Sequence, residues 1–148
     1  MASLRFPVAV GTQMACKEED MSGPARAGLF VYAMDMERVA RFYAAVAGMA
    51  RLHVREDLVV LQSQDIQLLV HQVPADIGAE IVIVSPPVRR EKTALKFFFT
   101  VPDLAEAGAT AARLGGEVFS ESWRGPGFVA CNAMDPEGNV FQVRENLP

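Results

Sequence analysis

His53, His71, Cys16 and Cys131 are the chain's full supply of imidazole and thiol, the groups most often used as bases, nucleophiles and soft metal ligands near neutral pH. Neither cysteine has a histidine beside it, so no thiol–imidazole pair is written locally. His53 stands in a stretch flanked by Arg51 and Arg55 and reads as a structural or exposed residue of an outer strand. Asp65 and Glu80 are not spaced as an acid–base pair, so no general-base constellation stands out. The most suggestive short stretch is Trp123-Arg124-Gly125-Pro126-Gly127-Phe128. An indole set among glycines reads as a loop that forms a lid or binding edge, or else as a packing anchor at a dimer interface.

Bulk properties narrow the classes. A chain of 148 residues is one domain's worth and can bury a sizeable core. With 51% hydrophobic and 22% charged residues it is ordinary globular material. A net charge of −4 gives no electrostatic reason to expect nucleic acid or an anionic membrane as partner. No apolar run approaches the roughly 18–20 residues that span a bilayer. Leu4–Val10 is interrupted by Pro7 and is short for a signal segment. Two cysteines make no disulfide framework and read as reduced thiols of a cytoplasmic protein.

The elements that would position any site come as a repeat. Residues 28–50, GLFVYAMDMERVARFYAAVAGMA, and 96–118, KFFFTVPDLAEAGATAARLGGEV, follow one pattern at an offset of 68. Each has a strand-length apolar run, an Asp (Asp35, Asp103), a helical pattern and a Gly (Gly48, Gly116) before the next strand. Asp accepts orphan N–H groups at a helix start, and Gly past the end takes the left-handed conformation cheaply. Strands are expected at 28–34, 51–55, 58–62, 65–73, 96–101, 117–119, 128–134 and 139–145, with helices at 36–47 and 104–114. Residues 1–25 read as a partly flexible N-terminal extension, 26–74 and 95–146 as two modules, and 75–94 as a linker with room for one edge strand at Ile81–Val84. In the linker, Arg89-Arg90-Glu91-Lys92 reads as a solvated charge run. Asp135-Pro136-Glu137-Gly138 is turn chemistry: Pro presets φ and Gly accepts positive φ. The order is βαβββ, linker, βαβββ, an α+β fold in which each module leaves one sheet face for the other to complete.

That repeat, with the Asp…Phe-Tyr spacing of Asp35–Tyr43 and the final Asp135-Pro-Glu-Gly-Asn139 turn, resembles the vicinal oxygen chelate superfamily. Its members include glyoxalase I, extradiol dioxygenases, fosfomycin-modifying enzymes and bleomycin-binding proteins. The resemblance spans about residues 26–146 and implies two βαβββ modules forming a curled mixed sheet around a cleft. It further implies where metal ligands would stand: on the first strand of each module, seven residues before the capping Asp, and on each last strand. Those positions are Gly28, Lys96, Gln142 and, by best placement, Gln67. Gly has no donor, Lys is protonated, and two neutral amides make a weak site, so no metal ligand is assigned.

Strand alternation from those positions adds Phe30, Tyr32, His71, Phe98 and Arg144 to the expected lining. With Gln67, Lys96, Gln142 and Trp123 they form an aromatic cavity with a few polar points. Such a cavity suits a mid-sized aromatic ligand, anionic or neutral, since Lys and Arg both recognise anions. The expected function is metal-independent binding of that ligand by a homodimer, with no cofactor. The alternative is a divalent-metal lyase or dioxygenase of the same superfamily with an atypical ligand set.

Overall fold

Both long helices start at an aspartate for the same reason. Asp35 Oδ1 accepts the Arg38 N–H at 3.0 Å, and Asp103 Oδ1 accepts the Glu106 N–H at 2.7 Å. A computed structural model describes residues 26–148, so the expected N-terminal extension and Cys16 lie outside the described residues. The first module runs β1 (Gly28–Ala33), α1 (Met36–Val46), β2 (Ala50–Val54), β3 (Leu58–Gln62) and β4 (Gln67–Gln72). A short helix, α2 (Ala75–Gly78), opens the connection. The second module runs β5 (Phe98–Thr100), α3 (Leu104–Arg113), β6 (Glu117–Gly125), β7 (Phe128–Met134) and β8 (Val140–Asn146).

Each module folds into a four-stranded mixed sheet, ordered β1-β4-β3-β2 and β5-β8-β7-β6. The first and last strands of a module pair in parallel, and the other pairs are antiparallel. This is the predicted two-module α+β architecture.

One apolar core serves both sheets. Val39, Phe42, Tyr43 and Val46 line one stripe of α1 and are buried. Tyr43 meets rings of the second module: Phe141 at 5.3 Å and Phe97 and Phe99 both at 6.1 Å between centroids. These offset and tilted ring pairs add about 0.5–1.5 kcal/mol each beyond area burial.

The turn after β7 stitches the modules together. Asp135 is wholly buried and its carboxylate accepts four hydrogen bonds. Oδ1 takes the N–H groups of Glu137 (2.9 Å) and Asn139 (3.0 Å). Oδ2 takes the Tyr43 hydroxyl and the Asn139 amide, both at 2.8 Å. Glu137, also buried, reaches across to the first module, accepting the N–H groups of Met34 at 3.0 Å and Asp35 at 2.8 Å. A buried carboxylate is tolerated only when bonded in this way.

Several expectations need correcting. Trp123 stands in a strand, because β6 continues to Gly125 and Trp123 lies opposite Ala130. The connecting turn is only Pro126-Gly127, with Gly127 at φ 77°. An irregularity between Val118 and Ser122 breaks the alternation that would have revealed the longer strand. Ile81–Val84 forms no strand; among the described residues the linker backbone makes one isolated bridge, from Arg90 to Asn139. Its Arg89 lies 3.4 Å over the Phe119 ring instead of being simply solvated. The left-handed glycine after α3 is Gly115 (φ 90°), where Gly116 was expected. Gly116 serves close approach: a Cβ there would collide with the Phe42 ring and the Met134 carbonyl.

Replacing Tyr43 with Phe should therefore cost about 1–3 kcal/mol in urea unfolding, because it removes one of the donors satisfying buried Asp135. Burial, then the neighbouring Asp135 charge, holds the Tyr43 hydroxyl protonated well above the usual phenol range. The unfolded chain releases that proton near pH about 10, so stability should fall as pH rises past that point. The Tyr43→Phe variant should show a shallower alkaline loss in the same measurement.

Candidate functional site

Strand alternation divides each sheet into a helix-packed face and an open one. On β1, Leu29, Val31 and Ala33 join the core, while Phe30 and Tyr32 are 56% and 60% exposed. On β4, Leu68 and Val70 point inward and Gln67, Leu69 and His71 share the open face with their β1 partners. Phe30 stacks on Tyr32 at 6.3 Å, and Tyr32 lies 5.8 Å from the His71 ring. His71 is held by the Gln72 carbonyl at Nδ1 (2.9 Å) and faces Asp57 Oδ2 at 3.8 Å from Nε2. Gln67 donates to Gln62 at 2.9 Å.

The second module gathers the cations. Arg144 places its guanidinium 3.6 Å above the Phe98 ring and 4.5 Å from the Phe128 ring. Its Nε donates to the side-chain oxygen of Gln142. Lys96, immediately before β5, donates to Asn132 Oδ1 at 3.1 Å, and Asn132 pairs with Gln142 across β7–β8. Trp123 is level with Ala130 and Arg144 in the same sheet. Thus Lys96, Phe98, Trp123, Gln142 and Arg144 come together on one face, while Phe30, Tyr32, Gln67 and His71 form a separate aromatic patch on the other sheet. Asn132, Phe128 and Asp57 belong to these clusters; Phe128 ends the stretch singled out with Trp123, while Asn132 and Asp57 were not foreseen. Extending the alternation to β7 would have found Asn132, but motif spacing anchors no position on that strand.

Neither histidine nor cysteine builds a catalytic pair among the described residues. Cys131 lies in the core, where burial pushes its thiol up and keeps it protonated. His53 is exposed on β2, opposite Val60. Glu37 is held below the usual carboxylate range by Arg51, which grips it with both terminal nitrogens at 2.6 and 2.7 Å.

Pairing fixes which positions of the modules correspond. Phe30 pairs with Leu69 as Phe98 pairs with Gln142. Three residues further along these strands, Gln72 accepts the Met36 N–H at 3.3 Å as Glu145 accepts the Leu104 N–H at 2.8 Å. Leu69, not Gln67, is therefore the counterpart of Gln142. Gln67 lies two residues away on the same face.

Residues 28–144 match the model of the glyoxalase-like domain. The chain belongs to this family, within the vicinal oxygen chelate superfamily. Solved structures share the glyoxalase-like fold. A glyoxalase/bleomycin resistance protein/dioxygenase family enzyme from Burkholderia phytofirmans PsJN is similar at TM-score 0.60 and 13% identity, covering 82% of this chain and 98% of its own. A glyoxalase/bleomycin resistance protein from Albidiferax ferrireducens T118 follows at TM-score 0.57 and 17% identity, over 81% and 97%. Lactoylglutathione lyase from Agrobacterium tumefaciens is similar at TM-score 0.51 and 23% identity, over 83% and 94%. No curated protein sequence matches.

The glyoxalase-like fold raises the question of a metal, and the residues at the ligand positions do not fit one. The matched set is Gly28, Leu69, Lys96 and Gln142. Two members have no donor atom, one is a cation, and the oxygen of the fourth already accepts from Arg144. Among the described residues, no three His, Cys, Asp or Glu side chains group as metal ligands. No helix among them is long and apolar enough to cross a membrane.

The correspondence makes a matched prediction. Gln72→Ala and Glu145→Ala should each cost about 1 kcal/mol in chemical denaturation, because each strips the acceptor from a helix-start N–H. Glu145→Gln, which keeps an oxygen there, should lose less than half as much.

Proposed function

We propose that this glyoxalase-like protein binds a small aromatic anion without a metal ion, and that Lys96 and Arg144 supply the positive charge. The observation that carries this reading is the placement of both cations beside Phe98, Gln142 and Trp123. Arg144 is already oriented: its guanidinium packs on the Phe98 and Phe128 rings and Nε is held by Gln142, leaving its remaining N–H groups to meet a carboxylate edge-on. Lys96 adds a point charge in reach of Asn132. Phe98, 51% exposed, and Trp123 offer flat apolar surface to a ring.

Lactoylglutathione lyase, the name borne by one similar structure, is not carried over, because the donor set here does not suit a catalytic metal. A homodimer is part of the proposal. Phe30, Tyr32 and Phe98 are each more than half exposed, and a second copy over the open faces would take that surface out of water. The reduced-thiol reading keeps the protein in the cytoplasm.

Heteronuclear NMR titration of the full chain with salicylate, against salicylamide and benzylamine, tests the reading. Salicylate should shift resonances of β5 and β8 saturably, with weaker binding by the neutral amide and none by the amine. Lys96→Met and Arg144→Met should each weaken salicylate binding by about tenfold, the effect of one lost charge-assisted hydrogen bond. Equal binding of all three compounds, or unchanged salicylate binding by both variants, would overturn it.

A further inference from the structure

On the helix side, away from the open faces, α1 and α3 run together at the junction of the modules and leave a depression of about 410 Å³. Three arginines line it: Arg38 and Arg41 from α1, and Arg113 from the last turn of α3. Arg38 and Arg41 are three residues apart, so they share one helix face. Gly115 is part of the same wall, and its missing Cβ is what admits the Arg38 guanidinium: a methyl group there would collide with Nη2.

The positive charge is not neutralised locally. None of the three guanidinium groups forms an ion pair among the described residues. Asp35 is the one carboxylate in the lining, and its Oδ1 caps the Arg38 N–H. Glu37, one turn before Arg41, is near enough for Arg41 to lower its pKa, but its carboxylate is gripped by both terminal nitrogens of Arg51. Arg113 makes a single side-chain contact, to Thr110 on its own helix at 3.3 Å. In a chain of net charge −4, three arginines with one carboxylate around one depression is a concentration against the overall trend.

We infer that this depression is an anion site for a small phosphorylated molecule, with two phosphoryl groups fitting it better than one. Planar guanidinium groups bind phosphate oxygens in pairs, and three converging arginines present more donors than a single phosphate can satisfy. The volume falls in the range of small-molecule sites and exceeds what one phosphate fills. Among the described residues the lining holds no aromatic ring, so recognition rests on the phosphates and not on a base or other ring. Because α1 belongs to one module and α3 to the other, a bound diphosphate would tie the modules together at the seam. This site shares no residue with the open-face cluster of Lys96 and Arg144.

Calorimetric titration of the full chain with inorganic pyrophosphate at low salt tests the inference, with sodium sulfate at matched ionic strength as comparison. The expected result is saturable one-to-one binding, a rise in the thermal midpoint, and markedly weaker binding of sulfate. The double variant Arg41→Gln/Arg113→Gln, both exposed positions, should keep the circular dichroism spectrum and lose at least about tenfold in pyrophosphate affinity. Arg38→Gln, which removes the third guanidinium and leaves Gly115 in place, should also weaken binding. No saturable binding, equal binding of sulfate, or full affinity in the double variant would overturn the inference.

Discussion

Asp135 carries the constraint on which the two-module arrangement rests. Its carboxylate is removed from water completely, and an ionised group in that position is stable only with its oxygens satisfied. Three of its four hydrogen bonds close the turn between β7 and β8, and the fourth comes from Tyr43 on the helix of the other module. Glu137 on the same turn then accepts the two N–H groups where β1 gives way to α1. A single tight turn therefore sets both the end of one sheet and the start of the other module's helix. Breaking it would leave a buried charge unpaired and would also pull apart the packing between the modules.

This internal joint commits the space between the modules to packing. With α1, Phe97, Phe99 and Phe141 filling the space between the modules, the helix-side faces of both sheets are committed to the core. What remains for ligands is the opposite face of each sheet and the groove where the two helices meet. The first carries aromatic rings with two fixed cations, and the second carries arginines almost alone. Both gather basic side chains in a chain that is acidic as a whole, which sets them apart from its general surface.

The repeat, both helix caps and most strand limits were legible in the residues, because capping aspartates and apolar alternation are local signals. The family resemblance followed from the same local features. Four things were not legible, the first three for a non-local reason. The Asp-Pro-Glu-Gly turn reads as a turn from its Pro and Gly, but the Tyr43 partner of Asp135 and the N–H partners of Glu137 lie about a hundred positions away, and only folding brings them in. The choice between Gln67 and Leu69 depends on strand register, and both share a face, so alternation alone could not separate them. Arg38, Arg41 and Arg113 look like ordinary surface charges until α1 packs beside α3. Trp123 reads as a loop residue because an irregular β6 hides its strand behind residues that resemble a loop.

We propose that the positive charge at the open face of this glyoxalase-like chain comes from its own Lys96 and Arg144 and not from a divalent ion. Thermal melts of chelator-treated protein with Ni²⁺, Zn²⁺, Mn²⁺, Co²⁺ or Fe²⁺ address it most directly, since an ion bound to the native state must raise the midpoint by mass action. No chelator-reversible rise is expected with any of the five. A clear, saturable rise with one of them that is lost in Gln142→Ala would contradict it and place a metal at the position assigned here to side-chain cations.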